Sequence, residues 1–318
     1  MQILQNCPVC NSILEPKGPI YSIEQLFDLW KPLEFSSITI EEHRAKSPYT
    51  QLYSCPTCNL DIFLPQIIGS PQFYIEAYNL GLKKGDNSAF TYSDEKWEFK
   101  EAIKDLGESQ SVLEIGCGNG AFLNKIRTLI PNYIGVEYNE EAIKNAREKG
   151  LNVCGFDEEM HLVKGSYDLV ISFHVLEHVE NPMEFIHKMC SFLKKNGKIC
   201  ISVPDQDGPI RFIDPCIQNM PPHHASRWHK KTFKMVAQKF DLKIEKIAHE
   251  PLLLINHDYY SYYWPNYLLK RNTLGTHYIK KGMKILLGSF FLFLKKMGWE
   301  YFPFLPGQSI YILMRKQN

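Results

Sequence analysis

Between residues 111 and 205 short apolar runs alternate with stretches whose apolar positions recur at helical spacing. Val112–Ile115 predicts a first strand, ending in Gly116, Gly118 and Gly120. The following AFLNKIRTLI sets Phe122, Leu123, Ile126, Leu129 and Ile130 on one helical face. Tyr133–Val136 predicts a second strand closing on Glu137, with Asn139 as N-cap of a helix from Glu140 to Lys149 and Gly150 as its stop. A short third strand is expected in LNVCGF, with Asp157 beyond it. Asp168 precedes Leu169–Phe173, an almost unbroken apolar run of the kind buried on both faces of a parallel sheet. Pro182 starts a helix predicted to reach Lys195, and Asn196–Asp205 reads as turn plus fifth strand. Leu242–Pro251 and Gln308–Lys316 supply a sixth and a seventh strand, with residues 252–306 inserted where a hairpin would suffice.

Strand, glycine turn and helix start together let a cofactor lie against bare backbone, with free N–H groups at the helix terminus. Gly116-x-Gly118-x-x-Ala121 also fits a dinucleotide fingerprint. Glu114, two residues before the first glycine, tips the reading. EIGCGNG resembles motif I of the class I S-adenosylmethionine (SAM) methyltransferases, whose acid serves the cationic end of that cofactor. FHVLEHVENP resembles the segment after the fourth strand in many bacterial members. The resemblance covers roughly residues 98–250. It implies an α/β fold, a doubly wound, seven-stranded Rossmann-like sheet, and a cofactor set of Glu114, Gly116, Gly118, Gly120, Glu137, Tyr138, Asp157 and His174. Glu137 would accept the ribose hydroxyls, and Asp157 would lie near the adenine amine.

Composition changes the picture at two points. Net charge is +1, so there is no overall basic footprint for nucleic acid. Of nine cysteines, four form Cys7-Pro8-Val9-Cys10 and Cys55-Pro56-Thr57-Cys58. Two such knuckles supply four thiolates to one tetrahedral zinc ion and leave no open position, so a structural zinc lobe is expected. Cys117, Cys154, Cys190, Cys200 and Cys216 read as core residues. The expected organisation is a zinc lobe over 1–68, aromatic linker and cap helices over 69–110, and the methyltransferase domain over 111–318 with its insert. MQILQNCPVC lacks the features of a signal peptide, and a cytoplasmic enzyme is expected.

Chemistry calls for a group that takes the acceptor's proton, and histidine suits neutral pH. His174, His178, His223, His224 and His229 are candidates. NMPPHHASRWHKKTF follows the fifth strand, at the cofactor edge, and resembles the PPHHxxxW segment of zinc-containing methyltransferases of surface-polysaccharide and natural-product pathways. His223 or His224 is the expected general base. His174-x-x-Glu177-His178 with the later histidines is similar to the ligand set of metal-dependent RNA 3′-end methyltransferases, with His in place of the first Glu. The expected reaction is methyl transfer from SAM to a small-molecule acceptor, a hydroxyl of a sugar or glycan intermediate; the alternative is an RNA methyltransferase using the zinc lobe to bind nucleic acid. Trp97 and Phe99 are expected to pack, whereas Tyr74 and Tyr78 could face a ligand. The insert carries six aromatic rings in HDYYSYYWPNY, expected to help cover the acceptor. The Lys-flanked stretch from Tyr278 to Trp299 is read as a buried helix covering the sheet, with peripheral membrane contact as the other option.

Overall fold

A computed structural model describes residues 5–31, 33–84, 95–156, 162–269 and 274–317. After the first knuckle come β1 (Glu15–Ser22), α1 (Ile23–Leu29), α2 (Ser37–Lys46), β2 (Tyr49–Ser54) and, past the second knuckle, β3 (Asp61–Leu64). Ser22 and Gln25 close a capping box at the start of α1, so its first turn is satisfied before the apolar face begins. That face buries Ile23, Leu26 and Phe27 against Trp30, Phe63 and Phe73. Next follow α3 (Pro71–Lys84) and α4 (Trp97–Asp105).

The main sheet then forms from β4 (Ser111–Ile115), α5 (Ala121–Ile126), β5 (Asn132–Glu137), α6 (Glu140–Glu148), β6 (Val153–Gly155), β7 (Tyr167–Phe173), α7 (Pro182–Phe192) and β8 (Leu193–Pro204). The chain continues through β9 (Ser226–Arg227), α8 (Lys230–Lys239), β10 (Leu242–Leu253), α9 (Trp264–Leu268), α10 (Leu274–Lys296) and β11 (Tyr301–Lys316). Strand order is β10-β11-β8-β7-β4-β5-β6. β4 to β8 pair in parallel, and β11 runs antiparallel between β8 and β10. The order reverses between β4 and β7, which puts the ligand crevice of such a sheet outside the carboxyl ends of these two strands. Alternate residues fill two cores: Leu113, Ile115 and Val170 face one side, and Val112, Leu169, Ile171 and Phe173 the other.

The doubly wound, seven-stranded expectation is met, and Asn139 caps α6 through the Glu141 and Ala142 amides. Some boundaries move. The helix from Pro182 ends at Phe192 instead of Lys195, because Leu193 turns extended and joins β8. The last strand starts at Tyr301 instead of Gln308, since it follows a longer β10. Asp157 lies outside the described residues.

β9 pairs with β3, so a segment from beyond the fifth main strand completes the N-terminal four-stranded sheet. His229 helps hold this junction. Its Nδ1 is 2.8 Å from Asp207 Oδ1 and its Nε2 3.9 Å from Asp61 Oδ2, while Lys17 pairs with the same Asp61 oxygen. Burial works against the charged ring, but Asp207 and Asp61 outweigh it and lift the pKa to about 9. Because the folded value exceeds the unfolded one, this stabilisation is complete below about pH 6.5 and is lost as pH rises through about 9. The melting temperature is therefore expected to fall across that window, and His229→Gln to flatten the fall. Identical slopes in the two proteins would exclude the role.

Candidate active site

The glycine turn is built for close approach. Gly116 and Gly120 have φ of +80° and +76°, where other residues are strained. A Cβ on Gly116 would lie 2.3 Å from Val175 Cγ2, and one on Gly120 2.4 Å from Leu151 Cδ1. Glu137, ending β5, backs the turn: its Oε2 accepts from the Gly118 amide at 2.7 Å, and its Oε1 from the Tyr138 and Asn139 amides at 2.7 and 2.9 Å. Oε2 keeps a further lone pair for a hydroxyl. Tyr138 is exposed, with its ring against Phe156 at 5.6 Å. Glu114 is buried inside β4, and its Oε2 has no hydrogen-bond partner among the described residues. Burial pushes its carboxyl well above the usual range, and nearby Glu137 adds to the effect.

His174 directly follows β7 and takes a left-handed φ of 54°. Non-glycine residues held in this region cluster at functional sites. Its Nε2 is 2.9 Å from Glu98 Oε1, and its Nδ1 3.3 Å from Glu177 Oε1. Burial disfavours the charge, yet Glu177 and Glu98 raise the pKa to about 9, leaving a cationic ring between two carboxylates at neutral pH. Glu98, on α4 between Trp97 and Phe99, escaped the sequence reading. Its position before the aromatic Phe99 signals packing, and only the fold brings it against β7. Trp97 and Phe99 pack in the core as expected.

Three further histidines converge beside this pair. The ring nitrogens of His178, His223 and His224 lie within 4.8 Å of one another. His178 Nδ1 donates to the His223 carbonyl at 2.6 Å, and the Tyr74 hydroxyl donates to the same oxygen at 3.3 Å. His224 Nδ1 donates to Asn219 Oδ1 at 3.2 Å, which leaves Nε2 bare, 4.0 Å from Glu177 Oε1. Glu177 Oε2 is buried with no hydrogen-bond partner among the described residues. The His223 and His224 rings stack at 4.3 Å. Burial, reinforced by neighbouring histidines, depresses both well below 6.5, so both are neutral. His224 is buried, while His223 is only half-buried. His229, by contrast, is engaged at the junction described above. The side chain of Tyr78 lies outside the described residues.

The four knuckle cysteines also converge. Cys7 and Cys58 Sγ are 3.5 Å apart, Cys10 and Cys55 Sγ 3.3 Å, and all four lie within 4.8 Å. Both knuckles fold alike: the Asn11 and Asn59 amides donate to the carbonyls of Cys7 and Cys55, with φ of 64° and 65°. The repeated Cys-Pro-x-Cys-Asn string signals this. Cys117, Cys190, Cys200 and Cys216 are core residues as expected, and Cys154 is partly buried.

Residues 94–247 match the family model described as a methyltransferase domain. The chain is 32% identical over 129 residues to the malonyl-acyl-carrier-protein O-methyltransferase 2 of Ilyobacter polytropus, covering 36% of this chain and 50% of that protein. It is 26% identical over 144 residues to the ubiquinone biosynthesis O-methyltransferase of Rickettsia conorii, covering 43% and 49%. It thus spans about half the length of these curated relatives. A SAM-dependent methyltransferase from Archaeoglobus fulgidus aligns with 74% of this chain and 99% of its own, at 21% identity and a TM-score of 0.47.

Proposed function

We propose that this chain, whose residues 94–247 are a methyltransferase domain of the class I SAM-dependent family, methylates a hydroxyl of a small acceptor, a sugar or glycan unit. One observation carries the reading. Val175, in the His174–His178 segment, closes on the bare face of Gly116, so the histidine cluster adjoins the glycine turn at the switch point of the sheet.

Bound SAM supplies a methyl group on a cationic sulfur, and alignment with the acceptor provides much of the rate. The residues present fit that cofactor. Backbone from Gly116 to Gly120 cradles it, Glu137 accepts its ribose hydroxyls, and Tyr138 offers a ring for the base. Glu114, with an unsatisfied buried oxygen, lies in β4 just before the turn, and His174 is fixed at the end of β7. His223, the more open of the paired histidines, takes the acceptor proton. His224 and His178 position it, the first by ring stacking and the second through the His223 carbonyl. A neutral imidazole suits an acceptor that must shed a proton. The two curated relatives named above are O-methyltransferases by name, and a net charge of +1 offers RNA no basic field.

Cys7, Cys10, Cys55 and Cys58 hold one structural zinc ion. The Cys7–Cys58 and Cys10–Cys55 sulfur pairs lie slightly closer than the about 3.8 Å that tetrahedral Zn–S bonds of about 2.3 Å require, a small adjustment.

Calorimetry with SAM and with NAD tests the cofactor. SAM is expected to bind and NAD to give no signal. Glu137→Ala is expected to weaken SAM by about 10- to 100-fold, as hydrogen bonds to a charged acceptor worth about 1.5–3 kcal/mol imply. Tight NAD binding without a SAM signal would overturn the reading.

A further inference from the structure

α10 is apolar on two opposite faces, and only one of them is covered. Leu287, Phe291 and Leu294 pack on Leu252, Leu254 and Tyr260, which makes a satellite core at the end of β10. On the opposite side Ile285, Leu286, Leu292 and Phe293 are exposed, Leu286 to 72% and Phe293 to 59%, and Ile279, Phe290 and Met297 widen this open face. Scattered exposed apolar residues are ordinary, but a continuous stripe of this size marks a contact surface.

Charge identifies the occupant. α10 carries Lys280, Lys281 and Lys284 toward one end and Lys295 and Lys296 at the other, and contains no acidic residue. Lys281 and Lys296 border the open face, whereas Lys280 and Lys284 lie on the covered side, Lys284 over the Tyr262 ring at 3.9 Å. A second copy packed on the open face would bring Lys281 and Lys296 against their counterparts. A negatively charged surface meets both. No helix among the described residues is long and apolar enough to cross a membrane, so a surface location fits and insertion does not. An apolar face flanked by lysines is the physical pattern of a helix lying in the headgroup layer of a bilayer.

We propose that the open face of α10 docks on a bilayer carrying anionic phospholipids, with Leu286, Leu292 and Phe293 entering the headgroup layer and Lys281 and Lys296 meeting the lipid charge. The topology gives this a consequence. β10 runs parallel to β7 in the sheet, so the insert springs from the same edge as His174 and the histidine cluster. Docking therefore sets the candidate site beside the bilayer surface, where an acceptor unit carried on a lipid would lie. The docking inference itself is independent of the methyl-transfer reading.

Flotation with vesicles of phosphatidylcholine alone, and with an equal share of phosphatidylglycerol, tests it on the full chain. The protein is expected to float at least tenfold more with the anionic vesicles, and high salt should release it because exposed charges are screened. The double variant Leu286→Glu, Phe293→Glu alters exposed positions only. It should keep its melting temperature and SAM affinity while losing vesicle binding tenfold or more. Equal flotation of the variant, or no flotation of the parent, overturns the proposal. So does a dimer of the parent in sedimentation that this variant splits, since the face would then belong to a second copy.

Discussion

A His223→Ala variant is expected to lose about 10²–10⁴-fold in kcat while its SAM affinity stays close to the parent's. The surroundings of this residue make the experiment clean. His178 and Tyr74 hold the His223 carbonyl, not its ring, so removing the ring leaves the backbone anchored. The losses outside chemistry include stacking on His224, a tilted ring contact with His178 and edge contacts with Trp30 and Tyr74. His224→Ala is a different case. It strips the partner from Asn219 Oδ1, and a buried acceptor left unsatisfied costs about 1–3 kcal/mol. Its kcat is therefore read together with its melting temperature. Undiminished turnover by the double variant His223→Ala, His224→Ala removes the base assignment. Loss of rate on mild chelation, restored by a divalent cation other than zinc, would assign the three ring nitrogens to an ion instead.

Cys55→Ser is expected to lower the melting temperature by roughly 10 °C or more, because zinc held by thiolates contributes several kcal/mol of folding energy and each kcal/mol moves a chain of this size by about 2–4 °C. The loosening should reach beyond the knuckles. Leu60 and Ile62 share one core with Trp228 and Phe233, Thr232 Oγ1 donates to the Cys58 carbonyl, and Lys239 Nζ donates to the Pro8 carbonyl. Hydrogen exchange is expected to rise in β2, β3 and α8, and SAM affinity to fall less than in Glu137→Ala, whose site is at β5. Elemental analysis giving less than about half an equivalent of zinc in freshly purified protein would count against the ion.

Several features followed from local pattern because local physics governs them. Gly116, Gly118 and Gly120 mark positive φ wherever they sit, Asn139 caps α6 with its own side chain, and each Cys-Pro-x-Cys-Asn string folds its own turn. The insert shows the opposite. Tyr278–Trp299 reads as a helix to be buried over the sheet, but α10 packs by one face on α9 and the satellite core and leaves the other open. Periodicity reports that a helix is apolar on both sides; it does not report how many partners arrive. The aromatic segment before it builds that small core, with Tyr260 donating to the Pro306 carbonyl and Tyr267 against Phe212.

What the sequence determined by itself is the order of strands and helices, the glycine turn with its acid at the end of β5, and the two cysteine knuckles. Each depends on contacts within a few residues, where spacing and residue type decide the outcome. The tertiary structure alone decided which histidines meet. His178 reaches His223 across 45 residues of chain, and Glu98 reaches His174 across 76. It likewise engaged His229, an equal candidate by type, with Asp207 and Asp61, and paired β9 with β3. Parallel strands bring their carboxyl ends together however far apart they lie in the chain. The long-range partners of a polar side chain are therefore set by sheet order, which no local pattern contains.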